Sequence, residues 1–364
     1  MKKINVGIIG LGGAARIGHI PWYILNPYTR IKSISDVDPS RINYVREMYH
    51  IENSFTDYTK ILEDDEIDAV SICTPVHNHK EITIAAAENG KHILVEKPMA
   101  RDVKECYDMN SAAEKNNVLL MVGFMKRFNP GFQYIKEVLD REEIGSPHYF
   151  DVHWSLYDVK HAEGFRYKAY TGGGVFQDHG SHYIDLLRWW SKSEIHEVTG
   201  EFNIMVDGRE VEDHGVVLLR FKNGAIATLE TSRVGLEHPI YRLYERGQIY
   251  TTGGSISFSS PDWTSFELPE INLFDGKQWK TIKMLKKGRE KSYHYMFKRE
   301  IDHFVNCIVN NVEPAVNGYD GLKAIEVINA AYISSFEKRK VKLPLNRNFE
   351  IDEKMFRSMP RFNL

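Results

Sequence analysis

Cysteine is scarce in this chain of 364 residues, which carries only Cys73, Cys106 and Cys307. Their odd number and wide separation argue against a disulfide framework and against a paired-cysteine metal or redox site. No apolar run approaches the roughly 20 residues that span a bilayer. The short run Ile4–Ile9 is interrupted by glycine and has no cleavage site after it, so we predict no signal peptide. We therefore expect a soluble protein of the reducing cytoplasm.

The chain also lacks an excess of charge of either sign, low-complexity segments and internal repeats. Its 47 Lys+Arg and 50 Asp+Glu give a net charge of −3, so nothing indicates a nucleic-acid partner. Hydrophobic residues make up 42% and charged residues 27%, which is the composition of a globular protein rather than a disordered one. The length suggests two domains, at roughly 100–200 residues each.

In residues 1–125, short apolar runs alternate with helical patterns. Runs that are apolar throughout are typical of a parallel sheet covered on both faces, so we predict a doubly wound α/β Rossmann domain. The predicted strands are Ile4–Ile9, Ile31–Val37, Ala69–Cys73, His92–Glu96 and Leu119–Gly123. The predicted helices are Pro39–Tyr49, Asp57–Leu62, Asn78–Asn89 and Val103–Asn116.

Residues 126–364 follow a different pattern, in which β-rich segments are joined by tight turns and helices are inserted between them. Asn223-Gly224 is a typical hairpin turn. The pattern predicts a mostly antiparallel α+β domain whose C-terminal helices pack back toward the first domain. The predicted strands are His148–Ser155, Glu197–Ile204, His214–Phe221, Ala225–Ser232, Ile240–Glu245, Ser255–Ser259 and Ile271–Phe274. The predicted helices are Pro130–Arg141, Ser181–Trp190, Tyr293–Asn310 and Asp320–Lys338, and the last twenty residues are expected to be a tail that packs on the body or on a neighbour.

A glycine-rich loop directly follows the first strand. Gly10, Gly12 and Ala15 fit the pattern G-x-G-x-x-G/A, with Gly13 and Ala14 between them. The first glycine permits the tight turn, the second lets a pyrophosphate approach the backbone, and the small third residue keeps helix and strand close. The loop predicts a dinucleotide site, with phosphates at the start of the following helix.

Asp36 ends the second predicted strand, where a carboxylate takes the ribose hydroxyls of NAD and repels the extra phosphate of NADP. We therefore expect NAD rather than NADP, although Ser35 and Arg41 nearby would soften the preference. The alternative is that Asp36 or Asp38 only caps the helix that begins at Pro39, and Asp38 suits that role.

Two other strand ends face the same crevice, because the carboxyl ends of parallel strands meet at one edge of a sheet. One is the segment 73–79 after the third strand, and the other is the Glu-Lys-Pro triplet that ends the fourth. We expect their residues to line the dinucleotide site: Thr74, Pro75, His79, Glu96 and Lys97.

The chain resembles the Gfo/Idh/MocA oxidoreductases, a family named for glucose-fructose oxidoreductase and inositol dehydrogenase. The resemblance covers nearly the full length. It rests on the glycine loop, the strand ending in Asp36, the segment 73–79, the Glu-Lys-Pro triplet, the segment 123–130, the Gly-rich segment 172–182 with its Asp-x-Gly-x-His pattern, and the helix start at 320–324. It implies an NAD- or NADP-binding first domain and a second domain whose open sheet serves substrate binding and oligomerisation.

By position, the resemblance implies a catalytic group of Lys97, Asp178 and His182. A histidine suits proton transfer from a hydroxyl near neutral pH, and an ammonium stabilises a developing alkoxide. We assign His182 as acid/base, Lys97 as polariser and Asp178 as orienter, leaving open an exchange of roles between His182 and Lys97. The structural alternatives are a solvated Lys97 and a His182 paired with Asp178 or Asp185.

Basic residues in the candidate substrate lining, among them Arg127 and Arg166, suit a carboxylate or phosphate, while aromatic faces suit a sugar ring. The alternative is that Arg127 bridges the two domains. We expect no metal, because ligation needs more ligands than the cluster around Asp178 offers.

The leading hypothesis is an NAD-dependent dehydrogenase of a cyclic polyol or sugar. A glycosidase of the same family that retains NAD and a non-catalytic dinucleotide-binding regulator are the alternatives. We expect a homodimer or homotetramer, because an antiparallel sheet covered on one face leaves an apolar surface.

Overall fold

The structure is a computed structural model that describes residues 3–160, 164–235, 243–260, 268–284 and 292–362. The chain divides into two compact units. Unit 1 comprises Met1–Ala100, Lys104–Met125 and His294–Leu322. Unit 2 comprises Arg101–Val103, Lys126–Tyr293 and Lys323–Leu364. No helix in the described ranges is long and apolar enough to cross a membrane.

Unit 1 contains a parallel sheet, which confirms the predicted Rossmann architecture. Its strands are β1 (Ile4–Ile9), β2 (Thr29–Ser35), β3 (Asn53–Phe55), β4 (Ala69–Ile72), β5 (His92–Glu96) and β6 (Leu120–Gly123). They lie in the order β3-β2-β1-β4-β5-β6. Every residue of β1, β4 and β6 is buried, as expected for strands covered on both faces. The order reverses between β1 and β4, and ligands of such sheets bind beyond the carboxyl ends of the strands at this point.

The helices of the first 125 residues are α1 (Ile20–Leu25), α2 (Pro39–Tyr49), α3 (Thr59–Leu62), α4 (His79–Glu88) and α5 (Val103–Lys115). A π turn, Ala15–His19, precedes α1. Most boundaries agree with the predictions to within one or two residues. The prediction did not include β3, which has only three residues. Asn78 starts α4 without a side-chain cap, whereas Asp38 caps α2 by accepting the N–H of Ser40 at 2.9 Å.

The following elements are α6 (Pro130–Asp140), β7 (Pro147–Leu156), α7 (Ser181–Ser191), β8 (Ile195–Asn203), β9 (His214–Phe221), β10 (Ile226–Ser232), β11 (Leu243–Thr251), β12 (Ser255–Ser260), β13 (Glu270–Phe274), β14 (Trp279–Ile282), α8 (Ser292–Asn310), α9 (Gly318–Glu337), β15 (Val341–Lys342) and α10 (Lys354–Arg357). The prediction missed β14 and β15, which are short. Residues 240–242 of the predicted strand Ile240–Glu245 lie outside the described residues. The C-terminal tail packs on unit 2, where Phe362 N–H donates to Ile204 O at 2.9 Å.

The described strands of unit 2 form one sheet in the order β14-β13-β12-β11-β7-β10-β9-β8-β15. Only β7 and β10 pair in parallel, which confirms the mostly antiparallel prediction. Burial alternates along β9, because Val217 and Leu219 enter the core while Val216 and Leu218 remain 44% and 46% exposed. One face of the sheet is therefore core and the other carries apolar side chains outward.

Residues 294–322 complete unit 1 from far along the chain. The N–H of Val122 in β6 donates to the carbonyl of Val316 at 3.1 Å, and Met121 forms a β-bridge with Asn317. These contacts cover the outer edge of the parallel sheet.

Candidate active site

The glycine loop has the backbone geometry that its sequence predicts. Gly10 has a φ of +88°, and a Cβ there would lie 2.8 Å from the carbonyl carbon of Cys73 and 2.9 Å from the nitrogen of Thr74. Only glycine fits this turn. A Cβ at Gly12 or Gly13 would meet nothing within 4 Å, so the backbone there is open to a ligand.

Asp36 lies beside this loop and is only 7% exposed. Its Oδ2 accepts the N–H of Leu11 at 2.7 Å, and its Oδ1 accepts the N–H of Asp38 at 2.9 Å. The guanidinium of Arg41 lies 3.6 Å from Oδ2. The carboxylate is therefore fixed next to the glycine loop, and its remaining lone pairs can accept hydroxyl groups.

The loops after β4 and β5 are fastened together by His79, which is 1% exposed. Its Nε2 lies 2.8 Å from the carbonyl oxygen of Thr74, and its Nδ1 lies 2.9 Å from that of Pro98. Burial lowers the pKa of His79, against these hydrogen bonds, which raise it. Thr74 itself has a buried hydroxyl without a hydrogen-bond partner, which is an unmet donor and acceptor at the strand ends.

Glu96 ends β5 and joins two parts of unit 1. Its Oε1 lies 3.0 Å from Nε2 of His19, and its Oε2 accepts the N–H of Lys97 at 3.0 Å. Burial alone would raise the pKa of Glu96, but the hydrogen bond and charge of His19 lower it. Glu96 is therefore a buried carboxylate, and it holds the backbone of the half-buried Lys97.

These features fit a dinucleotide. The turn at Gly10 admits no side chain, the backbone at Gly12 and Gly13 is open, and the buried hydroxyl of Thr74 lacks a partner. The buried carboxylate of Asp36 lies directly beside this open backbone.

In unit 2, Asp178 lies in a π turn, Phe176–Gly180, which leads into α7 and His182. The Nη2 of Arg233 donates to Oδ2 of Asp178 at 2.6 Å, and Nε of Arg166 lies 3.4 Å from the same oxygen. The ring of His179 stacks on Trp154 with centroids 3.6 Å apart. The carboxylate is thus held by cations beside an aromatic wall. His182 is 2% exposed on the first turn of α7.

Glu212 anchors the segment that leads into this π turn. Its carboxyl accepts the N–H of Gly174 at 2.9 Å, the N–H of Phe176 at 3.0 Å and the hydroxyl of Tyr332 at 2.7 Å. Burial raises the pKa of Glu212 to about 7, against these hydrogen bonds, which lower it. A Cβ at Gly174 would lie 2.0 Å from the backbone oxygen of Glu212, so this position also requires glycine.

Arg127 forms a two-point ion pair with Asp185. Its Nε donates to Oδ2 at 2.7 Å and its Nη2 to Oδ1 at 2.6 Å. Arg127 is 8% exposed, and its neighbour Lys126 pairs with Glu245. Arg166 differs, because its side chain is 55% exposed beside Asp178. Across the described residues, no group of three or more His, Cys, Asp or Glu could hold a metal ion.

Unit 1 therefore brings together the predicted residues of the glycine loop, Asp36, Thr74, His79, Glu96 and Lys97. Unit 2 brings Arg166 to Asp178 and holds His182 one turn further on. Sequence reasoning missed His19, Glu212 and Arg233. His19 was detectable only as a histidine shortly after the glycine loop, and the other two follow no local pattern.

The parallel sheet, its open glycine loop and the carboxylate beside that loop define a nucleotide-binding protein. Residues 4–124 match the model of an oxidoreductase family with an NAD-binding Rossmann fold, and residues 132–257 match the GFO/IDH/MocA C-terminal domain. The chain belongs to the Gfo/Idh/MocA family of oxidoreductases, and its cofactor is NAD.

Several known proteins are similar to this chain over nearly its whole length. An uncharacterized oxidoreductase, YrbE of Bacillus subtilis, is 32% identical over 91% of this chain and 94% of its own length. Myo-inositol 2-dehydrogenase of Thermotoga maritima is 29% identical over 93% of this chain and 98% of its own. The structure of levoglucosan dehydrogenase in complex with NADH and levoglucosan is 25% identical, with a TM-score of 0.85 over 94% of this chain and 100% of the other.

Proposed function

We propose that the protein transfers a hydride between NAD and a CH–OH group of a cyclic polyol or sugar. The observation that carries the proposal is the linkage of the loops after β1, β4 and β5, since it brings Lys97 to the residues that fit a dinucleotide. Relatives named for inositol and levoglucosan support the substrate class.

Lys97, Asp178 and His182 are the proposed catalytic residues. NAD supplies the hydride acceptor when bound. As the carbinol C–H bond breaks, the hydroxyl proton passes to Nε2 or Nδ1 of His182, while the ammonium of Lys97 stabilises the oxygen. Asp178 orients the substrate hydroxyl or the imidazole. The alternative is that His182 and Lys97 exchange roles, since a lysine in a crevice can serve as the base.

The proposed cofactor ligands lie at the carboxyl edge of the parallel sheet. The glycine loop would hold the pyrophosphate, Asp36 the adenosine ribose, and the loops after β4 and β5 the nicotinamide half. The residues concerned are Gly10, Gly12, Gly13, Ala14, Ala15, Asp36, Thr74, Pro75, His79, Glu96 and Lys97.

Arg127 and Arg166 are the proposed substrate-binding cations, in addition to the catalytic residues. The exposed guanidinium of Arg166 beside Asp178 suits a substrate carboxylate, whereas the guanidinium of Arg127 is engaged in its ion pair with Asp185.

The test is NADH absorbance at alkaline pH with NAD and a panel of inositols, aldoses and uronates. We expect turnover with one class and its loss in Lys97→Ala, with NADH binding retained. Lys115→Ala is the matched control, because Lys115 is exposed on the same unit. Full activity of Lys97→Ala would refute the assignment. Sugar hydrolysis with retained NAD and no net NADH would indicate the glycosidase instead, and cofactor binding without any turnover would indicate a regulator.

We further propose a cytoplasmic homodimer or homotetramer. The outward face of the unit 2 sheet exposes Val216, Leu218 and Tyr250, and pairing two such faces would remove them from water. None of the three cysteines forms a disulfide, as suits a reducing compartment. Light scattering checks the assembly, and a monomer would contradict it.

A further inference from the structure

A line of four buried polar side chains runs through unit 1 from α1 to the end of β5. The hydroxyl of Tyr23 lies 2.8 Å from Oγ of Ser71, and Oγ of Ser71 lies 3.2 Å from Nδ1 of His19. The other ring nitrogen of His19 lies 3.0 Å from Oε1 of Glu96. Tyr23, Ser71 and His19 are each 0% exposed and Glu96 is 6% exposed, so the line is largely shielded from water.

The hydrogens along this line can all point toward Glu96. Glu96 is ionised and only accepts, so Nε2–H of His19 donates to it. With a neutral ring, Nδ1 of His19 accepts the O–H of Ser71, whose oxygen accepts the O–H of Tyr23. Bonds that point in one direction polarise one another, and in this arrangement they converge on the carboxylate that accepts the N–H of Lys97.

We propose that His19 is a positioning residue for Lys97, acting through Glu96. The inference rests on the proposed catalytic role of Lys97. His19 is the last residue of the π turn that follows the glycine loop, so one hydrogen-bonded line fixes the spacing between the cofactor loop and Lys97.

Packing from α8 fixes the ring of His19 independently. A Cβ at Gly18 would lie 2.6 Å from the ring of Phe297, so α8 seats directly on the π turn. The rings of His19 and Phe297 have centroids 5.7 Å apart and are tilted by 53°. A π turn adds one residue to a helical turn, and such turns recur at functional sites.

Glu300 lies one turn beyond Phe297 on α8. In its neutral form it does not compete with the charge of Glu96. It is 0% exposed, and neither carboxyl oxygen has a hydrogen-bond partner among the described residues. Burial raises the pKa of Glu300 well above its ordinary range, and the charge of Glu96 raises it further. A neutral Glu300 leaves Glu96 as the charge that orients His19.

The experiment compares His19→Leu with His19→Gln in the full chain. The glutamine amide restores an N–H donor near the position of Nε2, whereas leucine removes it. We expect His19→Leu to lower kcat by about 10- to 100-fold, a range typical of a misplaced catalytic group. The Kd for NADH should change less than threefold, and His19→Gln should recover most of kcat.

His92→Leu is the control for loss of another hydrogen-bonded histidine in unit 1, although His92 is half-buried and His19 is fully buried. His92 accepts the N–H of Leu119 at 3.1 Å at the opposite end of β5, so its loss removes a hydrogen bond without touching Lys97. We expect its kcat to stay within twofold of the wild type. If His19→Leu does not fold, Glu96→Gln takes its place, and the kcat of Glu96→Gln is compared with that of His19→Gln.

Wild-type kcat in His19→Leu, equal losses in the leucine and glutamine variants, or a loss confined to NADH binding would each overturn the inference. Lys97→Ala, assayed alongside, separates this failure from that of the proposed function. An inactive Lys97→Ala with a fully active His19→Leu refutes only the role of His19. An active Lys97→Ala refutes the role of Lys97 itself.

Discussion

Arg233 donates a hydrogen bond from Nη2 to Oδ2 of Asp178 across 2.6 Å, and both side chains are largely buried. Arg233 follows β10 directly, and its backbone N–H donates to Asp213 O at 2.7 Å. Its guanidinium also lies over the ring of Tyr167, 5.7 Å from the centroid. Asp178 is therefore oriented by a cation whose own position is set by the sheet.

The first prediction concerns this pair. Replacing Arg233 by Met should lower kcat/KM by ~10²-fold, because a carboxylate released from its partner leaves its productive position. NADH affinity should be unchanged, since Arg233 belongs to unit 2. Steady-state kinetics and NADH titration measure both, with Arg141→Met as the control because Arg141 is 66% exposed. Equal kcat/KM values for the two variants would count against an orienting role for Arg233.

The second prediction concerns cofactor choice. We expect the wild type to prefer NAD, because the buried carboxylate of Asp36 would repel the extra phosphate of NADP. Asp36→Asn keeps the shape and removes the charge, so the KM for NAD should rise by about 10-fold and the discrimination against NADP should fall. Arg41, 3.6 Å from Asp36, would then be available to the phosphate. Comparing kcat/KM for NAD and NADP in Asp36→Asn and in Asp36→Asn with Arg41→Ala checks this, and unchanged discrimination would contradict it.

The third prediction concerns the anchor of the π turn in unit 2. Glu212→Ala leaves the N–H groups of Gly174 and Phe176 and the hydroxyl of Tyr332 without their buried acceptor. Since each such group costs about 1–3 kcal/mol, the free energy of unfolding should fall by about 3 kcal/mol or more. Tyr332→Phe removes one donor and leaves the acceptor with the others, so it should cost about 1 kcal/mol. Urea unfolding measures both, and similar losses in the two variants would argue against the anchor.

The fourth prediction concerns Glu300 and pH. Its pKa is raised in the folded state, so the stability it provides is complete below the ordinary pKa of 4.5 and is lost as pH rises. Glu300→Gln removes the carboxyl group and therefore removes this pH dependence of the free energy of unfolding. The difference in unfolding free energy between the variant and the wild type should therefore increase by about 1.4 kcal/mol per pH unit above about pH 5.

Urea unfolding at pH 5, 6 and 7 measures this slope. Glu47→Gln is the control, because Glu47 is exposed on α2 and should give a curve parallel to that of the wild type. A parallel curve for Glu300→Gln as well would mean that Glu300 is ionised in the folded protein.

The parts of the fold and site that follow from the sequence are those encoded locally. Gly10 directly follows β1 and Asp36 directly follows β2, so the glycine pattern and its spacing to the acidic residue make both strands and the loop predictable. Strand β3 was missed because three residues carry too little periodicity. Arg233 acts on Asp178, 55 positions away, and Glu212 acts on residues 36 to 120 positions away, so no local pattern could reveal them. Neither carboxyl oxygen of Glu300 has a hydrogen-bond partner among the described residues, so its role has no local pattern either.

The seating of Phe297 on Gly18 has a consequence for how the protein is made. The nucleotide-binding unit is discontinuous, and its π turn and the edge strand β6 are completed by residues 294–322. A nascent chain that has just emerged past residue 125 therefore exposes an apolar surface at Gly18 and an unpaired strand edge. Such surfaces favour aggregation until they are covered. Residues 126–293, most of unit 2, must be translated in the interval, so unit 1 can begin to fold early but acquires its last segment only late in synthesis.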